Sequence, residues 1–363
     1  MLLEKMVEER CLPPLGTREE MQEILQREEY GYLSAADAAS VSFCDTKVLE
    51  ARVAPNGATL TQVDMTVEND YGKHTIPVHY LSIPDGKKHP LFIFLSFSQM
   101  MPNRYYPAEM IAERGFHVMS FSYLEAATDN ADFSNGIAPL LLPGGQKKGT
   151  DCGKIGIWAW CAMRILDYAA TLPEIDMSQV AIIGHSRLGK TALFAGMMDS
   201  RFRYVFSNNA GCSGDALSRG NLGVRGEKGP YGRTGETIAD ITRRFPYWFC
   251  PNYLKYAQSN VPDDFDQHFL LAAIAPRFVS VSASEKDDWA DPVSEQLCCV
   301  AAGKQWEKLG LPGLIHHDTL LTPGQTLPDG RVAFNLRAGA HYLSYHNWQW
   351  DMDFMEQHKD DVI

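Results

Sequence analysis

The stretch VAIIGHSRLGKTALFAG, residues 180–196, decides the fold, and it reads in two ways. Taken from Gly184, the run GHSRLGKT meets every fixed position of G-x-x-x-x-G-K-[ST], the glycine-rich loop whose backbone amides cradle phosphates. Taken from its middle, it is an apolar strand, a tight turn with Ser186 at the tip, and a helix. That is the pattern of a nucleophile elbow, which lifts a serine hydroxyl above the end of a sheet. The first reading binds a nucleotide. The second attacks a carbonyl.

The surroundings settle which architecture holds this stretch. Residues 58–67 (ATLTQVDMTV) and 74–83 (HTIPVHYLSI) alternate apolar and polar with period two, and NDYG at 69–72 turns between them. They predict an antiparallel pair. After Pro84 the style changes. LFIFLSF (91–97) is apolar almost throughout, as a strand covered on both faces must be. A helical segment (107–115), a strand (117–123) and a long, apolar helix (155–168) lead to the puzzle stretch. Strands at 204–207, 278–283 and 332–336 and a last helix over 344–354 follow. Strand and helix alternate, so the fold class is α/β, a mainly parallel, doubly wound sheet with antiparallel strands at its N-terminal side. Residues 1–363 read as one catalytic domain, with 1–40 a helical extension. The Gly-, Arg- and aromatic-rich segment 211–275 reads as an insertion walling the site.

A phosphate loop needs an acidic residue closing a nearby apolar strand to hold magnesium. The strand at 204–207 ends instead in Asn208-Asn209. The hydrolase reading makes a stricter demand, the chain order Ser, then Asp or Glu, then His. SEKDDWADP (284–292) follows one strand and RAGAHY (337–342) follows the next, so Asp287 or its neighbour Asp288 and His341 fall where such partners belong. One departure stands out. The common elbow is G-x-S-x-G, and here Leu188 takes the second glycine position, with Gly189 after it.

Composition excludes other classes. The chain has 363 residues, 45% hydrophobic and 21% charged, with ample material for a core. A net charge of −12 repels polyanions, so nucleic acid is not an expected partner. No apolar run is long enough to span a bilayer, so no membrane partner is expected either. The start, MLLEKMVEERCLPPLG, places charges where a signal peptide needs an apolar core. As written this implies a cytoplasmic protein, or an extracellular or periplasmic one if a leader was removed. Eight scattered cysteines lack metal spacing and read mostly as buried thiols, with room for a disulfide or two.

GHSRLGK (184–190) resembles the nucleophile signature of the glucuronoyl esterases, carbohydrate esterase family 15, in their bacterial-type form. Their elbow carries Ser-Arg-x-Gly-Lys, which accounts for Leu188. GIWAW (156–160), NAGCSGDALSR (209–219), GETIAD (235–240), FPYWFC (245–250), DDWADP (287–292) and GAH (339–341) are similar to family blocks in family order. The resemblance implies an α/β-hydrolase fold and a carboxylic ester hydrolase of 4-O-methyl-glucuronoyl methylesterase type. Its substrates would be carbohydrate esters of glucuronic acid, such as the links between lignin and glucuronoxylan in plant cell walls. It implies no metal and no organic cofactor.

Carried over residue by residue, the resemblance makes Ser186 the nucleophile, His341 the base, Asp287 the orienting acid and Arg187 the oxyanion support. Lys190 and Glu236 would bind sugar hydroxyls, and Trp289 would pack on the uronate ring. Some members carry a Glu acid where this chain has Asn209. VRGEKGPYGRT (224–234) is an insertion relative to the family pattern. Other roles stay open. Arg187 also reads as a structural ion-pair partner, Lys190 as an exposed helix lysine and Trp289 as core. Asp291 and Glu295 read as solvated or capping, His185 as packing beside the elbow, His346 as supporting the site from behind, and His316-His317 as a loop. The alternatives to a glucuronate ester are another carbohydrate ester, as in acetyl xylan esterases on the same fold, and remotely a nucleotide.

Overall fold

The structure, a computed structural model, describes residues 2–221 and 235–363. Ten strands form one sheet. In chain order they are β1 (Ser40–Glu50), β2 (Thr59–Asn69), β3 (Gly72–Ser82), β4 (His89–Ser96), β5 (His117–Ser122), β6 (Ile175–His185), β7 (Tyr204–Asn208), β8 (Phe278–Ser284), β9 (Thr326–Leu327) and β10 (Val332–Arg337). Their spatial order is β1-β2-β3-β5-β4-β6-β7-β8-β10-β9. From β5 to β10 all neighbours run parallel. The strands β1, β2 and β3 pair antiparallel at one side, and β3 joins β5 antiparallel. This is an α/β-hydrolase fold. The β2–β3 hairpin turns between Asn69 and Gly72, as the alternating pattern predicts.

The helices that matter here are α1 (Leu2–Glu8), α2 (Arg18–Leu25), α3 (Ala108–Glu113), α4 (Lys154–Ala169), α5 (Arg187–Met198), α6 (Ile238–Arg244), α7 (Pro292–Lys308) and α8 (Tyr345–His358). Successive residues of one strand serve opposite cores, because side chains alternate across a sheet. Leu91, Ile93 and Leu95 of β4 join a core shared with α1, α2, α4, α5 and α7. Phe92 and Phe94 join a second core with α3 and α8. There both rings meet the edge of Trp348, at centroid distances of 5.2 and 5.3 Å. Such edge-to-face pairs add about 0.5–1.5 kcal/mol beyond burial alone.

Local chemistry starts the helices. Thr17 and Glu20 form a reciprocal capping box at α2. At α7, Asp291 caps Ser294 N at 3.1 Å ahead of Pro292. Asp291 therefore caps, as read from the sequence. Glu295 does not match its reading. It is fully buried inside α7 rather than solvated or capping. None of the eight cysteines forms a disulfide, and six are buried. No helix among the described residues is long and apolar enough to cross a membrane. The 224–234 insertion lies outside the described residues.

Candidate active site

The strand β6 delivers Ser186 directly into α5. Ser186 adopts φ 58° and ψ −125°, a conformation L-residues avoid, and its N–H donates to Asn208 O at 2.8 Å. A strained turn of this kind holds the hydroxyl clear of the sheet. Gly184 is required because a Cβ there would lie 2.0 Å from Leu188 O. Leu188 itself is fully buried. Gly189 takes over the close-packing duty, since a Cβ on it would sit 2.9 Å from Ser207 Oγ. Arg187 is the first residue of α5, where a backbone N–H has no carbonyl a turn earlier to bond, while Gly189 and Lys190 N–H donate to Ser186 O at 2.9 and 3.2 Å.

The loop after β8 brings in Asp287 and the loop after β10 brings in His341. His341 Nδ1 donates to Asp287 Oδ2 at 2.5 Å. Asn209 Nδ2 donates to the same oxygen at 2.7 Å, and Ser284 Oγ donates to Asn209 Oδ1 at 3.1 Å. Burial would raise the Asp287 carboxyl, but the bond and charge of His341 and the Asn209 amide outweigh it and lower it below its ordinary value. The contact with His341 falls to Asp287, while Asp288 is exposed. Among the described residues no hydrogen bond joins Ser186 Oγ to His341. Such contacts commonly tighten only when substrate binds.

His185 packs beside the elbow, as expected. Its Nδ1 donates to Asn208 Oδ1 at 2.5 Å and its ring lies 4.4 Å from that of His341. Burial and the neighbouring His341 charge push it down to about 3, so it stays neutral and offers no second base. His346 departs from its reading. It is exposed at the start of α8, its ring tilted against that of Tyr345, and it does not line the site.

A cavity of about 300 Å³ is lined by Ser186, Arg187, Lys190, Glu236, Asp287, Trp289 and His341, the seven residues singled out in the sequence. Asn209, Arg244, Phe245 and Trp248 line it too. Lys190 is buried, not an exposed helix lysine, and its Nζ donates to Ala210 O. Glu236 is buried, and desolvation raises its carboxyl to about 7 against the opposing pull of Lys190 and Arg244. Its backbone N–H donates to Trp289 O at 2.9 Å, tying two walls together. The Arg244 guanidinium lies 5.1 Å from the Trp289 ring centroid.

Arg187 lines the cavity and pairs with Asp129, the ion pair that the sequence left open. Its guanidinium stands 4.8 Å from the Trp248 ring and 5.5 Å from that of Phe245. Its Nε has no hydrogen-bond partner among the described residues, which leaves one donor uncommitted.

Asp129 was missed by sequence reasoning. It also accepts from Tyr123 OH at 3.0 Å and Trp248 Nε1 at 2.6 Å. It lies in an irregular loop where no periodicity marks one acid over another. The aromatic run FPYWFC was the available signal for Phe245 and Trp248.

The phosphate reading fails on the same geometry. Thr191 is fully buried, and its Oγ1 donates to Arg187 O within the helix at 2.9 Å. It is not presented to the magnesium of a nucleotide. Among the described residues no cluster of three or more His, Cys, Asp or Glu side chains is placed to hold a metal.

Comparisons with known proteins point to one family. A family model described as "Glucuronyl esterase, fungi" matches residues 65–310. A carbohydrate esterase of an unknown prokaryotic organism is 37% identical over 207 residues, 57% of this chain and 44% of that protein. A 4-O-methyl-glucuronoyl methylesterase of Podospora anserina is 26% identical over 299 residues, 80% of this chain and 55% of that protein. The chain thus spans about half the length of these curated relatives. Among solved structures, a glucuronoyl esterase from Solibacter usitatus aligns with a TM-score of 0.82 at 27% identity, covering 93% of this chain and 91% of that one.

Proposed function

The chain belongs to the glucuronoyl esterase family, and from that premise we propose that it hydrolyses esters of glucuronic or 4-O-methyl-glucuronic acid through an acyl-enzyme. The observation that carries this reading is the 2.5 Å His341–Asp287 bond in the cavity that also holds the elbow serine. In the reaction, Ser186 Oγ attacks the uronate carbonyl and His341 Nε2 takes its proton. Asp287 holds Nδ1–H and steadies the imidazolium that forms. The oxyanion is met by Arg187 N–H and the Arg187 side chain. Preorganised donors are worth most where negative charge develops. His341 then protonates the departing alcohol. Water repeats the cycle in reverse and frees the uronate.

Lys190, Glu236 and Trp289 make the acid-side pocket in this reading, two hydrogen-bonding groups and one flat face for a sugar ring. Residues 1–363 act as one catalytic domain in this reading, with Gly211, Glu236, Arg244, Phe245 and Trp248 of the 211–275 segment walling the site. The test is release of glucuronate from a methyl or benzyl glucuronate ester. Wild-type turnover that vanishes in Ser186→Ala supports the proposal. Hydrolysis of acetyl esters alone would move the substrate to acetylated sugars, and no ester hydrolysis would sink the reading.

A further inference from the structure

No step of the reaction above calls on Asp129, yet four side chains converge on it. Its Oδ2 accepts from the Arg187 guanidinium and from Tyr123 OH, the latter at 3.0 Å. Its Oδ1 accepts from Trp248 Nε1 at 2.6 Å, and its main-chain carbonyl accepts from Tyr247 OH at 2.9 Å. Only 11% of the Asp129 side chain is exposed, so water and salt have little access to loosen the pair with Arg187.

The loop that carries Asp129 is fastened by its own side chains. Asn135 Oδ1 accepts from Thr128 N–H at 2.9 Å, and Asn130 Oδ1 accepts from Asp132 N–H at 2.9 Å. Asp132 Oδ1 accepts from Ser134 N–H at 2.8 Å. Short polar side chains that bond the backbone nearby in this way fix a turn without help from helix or sheet. A buried lysine, Lys154, adds a bond to Asp132 O at 2.6 Å. The carboxylate of Asp129 therefore has a set address.

Arg187 is held by rings as well as by this carboxylate. Its guanidinium lies 4.8 Å from the Trp248 ring, 5.5 Å from Phe245 and 5.8 Å from Phe97. Rings attract a cation to their faces, but they do not choose the direction of its N–H groups. A hydrogen-bonded carboxylate does, because its bond to a charged donor is both strong and directional. Asp129 also bonds the indole of Trp248, so the cation and the ring it lies near are tied to one acid. Asp129 itself does not line the catalytic cavity, whereas Arg187 and Trp248 do. Its route to a bound ester runs through those two residues.

We propose that Asp129 is the positioning residue of the oxyanion support, an inference that rests on the proposed function. It grips one edge of the Arg187 guanidinium and leaves the other N–H groups for the oxygen that gains charge as Ser186 attacks. A donor already aimed before the reaction stabilises that charge with no cost of reorganisation, and a long side chain without such a clamp would lose the advantage.

The test is a double-mutant cycle in the turnover of a methyl or benzyl glucuronate ester, with the fold of each variant checked by circular dichroism. Arg187→Ala is expected to lower kcat by about 10²-fold. Asp129→Asn keeps the shape and removes the charge, and should lower kcat by about tenfold or more with KM little changed. Added to Arg187→Ala, it should then lower kcat by less than about twofold, because the group it acts on is already gone. Losses that multiply would mean that Asp129 serves the wall and not the guanidinium, and would overturn the proposal. So would wild-type kcat in either single variant, or a loss confined to KM.

Tyr123→Phe decides the case in which Asp129→Asn does not fold. It takes one donor from Oδ2, leaves the charge, and changes a residue that does not line the cavity. A loss in kcat that disappears in the Arg187→Ala background upholds the proposal. Unchanged kcat, or a loss that persists in that background, overturns it. A wild type that cleaves acetyl esters instead of glucuronate esters moves the substrate and leaves the cycle intact, since every ester passes through an oxyanion. A wild type that cleaves no ester removes the proposed function and this inference together, whereas multiplying losses in an active enzyme remove the inference alone.

Discussion

One carboxylate oxygen, Oδ2 of Asp287, receives both the His341 imidazole and the Asn209 amide. Replacing Asp287 by Asn keeps the shape but loses the charge and offers a donor where His341 needs an acceptor. The expected loss is about 10⁴-fold in kcat, with KM little changed, measured on a glucuronate ester. Glu236 gives a pH signature. Its carboxyl, raised to about 7, is neutral below that pH and ionised above it. If the carboxylate accepts sugar hydroxyls, KM should fall as pH rises through about 7, and Glu236→Gln should flatten that step. A profile in which the step survives the substitution would falsify the assignment. At this scale Ser186, Asp287 and His341 were legible, because chain order and the strand-end loops restrict where each can lie. Asp129 and the Asn209 contact were not. A hydrogen bond across 58 or 78 residues leaves no local trace.

At the level of elements, the elbow depends on small atoms. An Ala at Gly184 would drive its methyl group into the Leu188 carbonyl, a backbone atom with no rotamer to escape by. Overpacking of this kind costs about 1–3 kcal/mol. Gly184→Ala should lower the thermal midpoint and depress kcat together, read by calorimetry and ester turnover. Gly57→Ala is the comparison, since nothing lies within 4 Å of its added Cβ, although its φ of 82° carries strain of its own. The buried parallel strands were legible as short apolar runs, and the β2–β3 hairpin by its alternation. The strand β1 was not, because its burial alternates only over residues 40–44 and residues 47–50 are all exposed. The helix α7 also escaped. It is buried nearly all round and rich in small residues, so no amphipathic stripe betrays it.

Across the whole molecule, a set of carboxyls sits in places that favour the proton. Glu29 is fully buried, pushed up to about 8 by desolvation, and accepts both Gln267 Nε2 bonds. Asp215 and Glu295 share the Gly211 N–H, and burial raises both. A raised carboxyl binds its proton more tightly in the folded state, so its contribution is complete below the unfolded value near 4.5 and disappears as pH rises through the folded one. Buried histidines act oppositely. His117, lowered to about 4 by burial, and His185 oppose folding as pH falls below about 6.5. Comparing Glu29→Gln with wild type isolates the first effect. The stability of wild type relative to the variant should decline steadily from pH 5 to pH 8, measured by chemical unfolding at fixed ionic strength. A difference independent of pH would contradict the placement of that charge. None of this was legible, because Glu29 and Gln267 are 238 positions apart and only the folded sheet brings them together.

The Asn209–Asp287 contact has a consequence in evolutionary terms. The two residues follow the ends of the neighbouring strands β7 and β8, and the Asn209 amide bonds the Asp287 oxygen that His341 uses. Asn209 already holds a left-handed φ of 50°, which Asp tolerates nearly as well. The orienting charge could therefore migrate from one strand end to the other in two single substitutions, through an intermediate carrying both acids, with no change of backbone. Asn209→Asp should recover part of the turnover that Asp287→Asn removes. Lineages of this fold could thus exchange the address of their catalytic acid without ever losing the reaction.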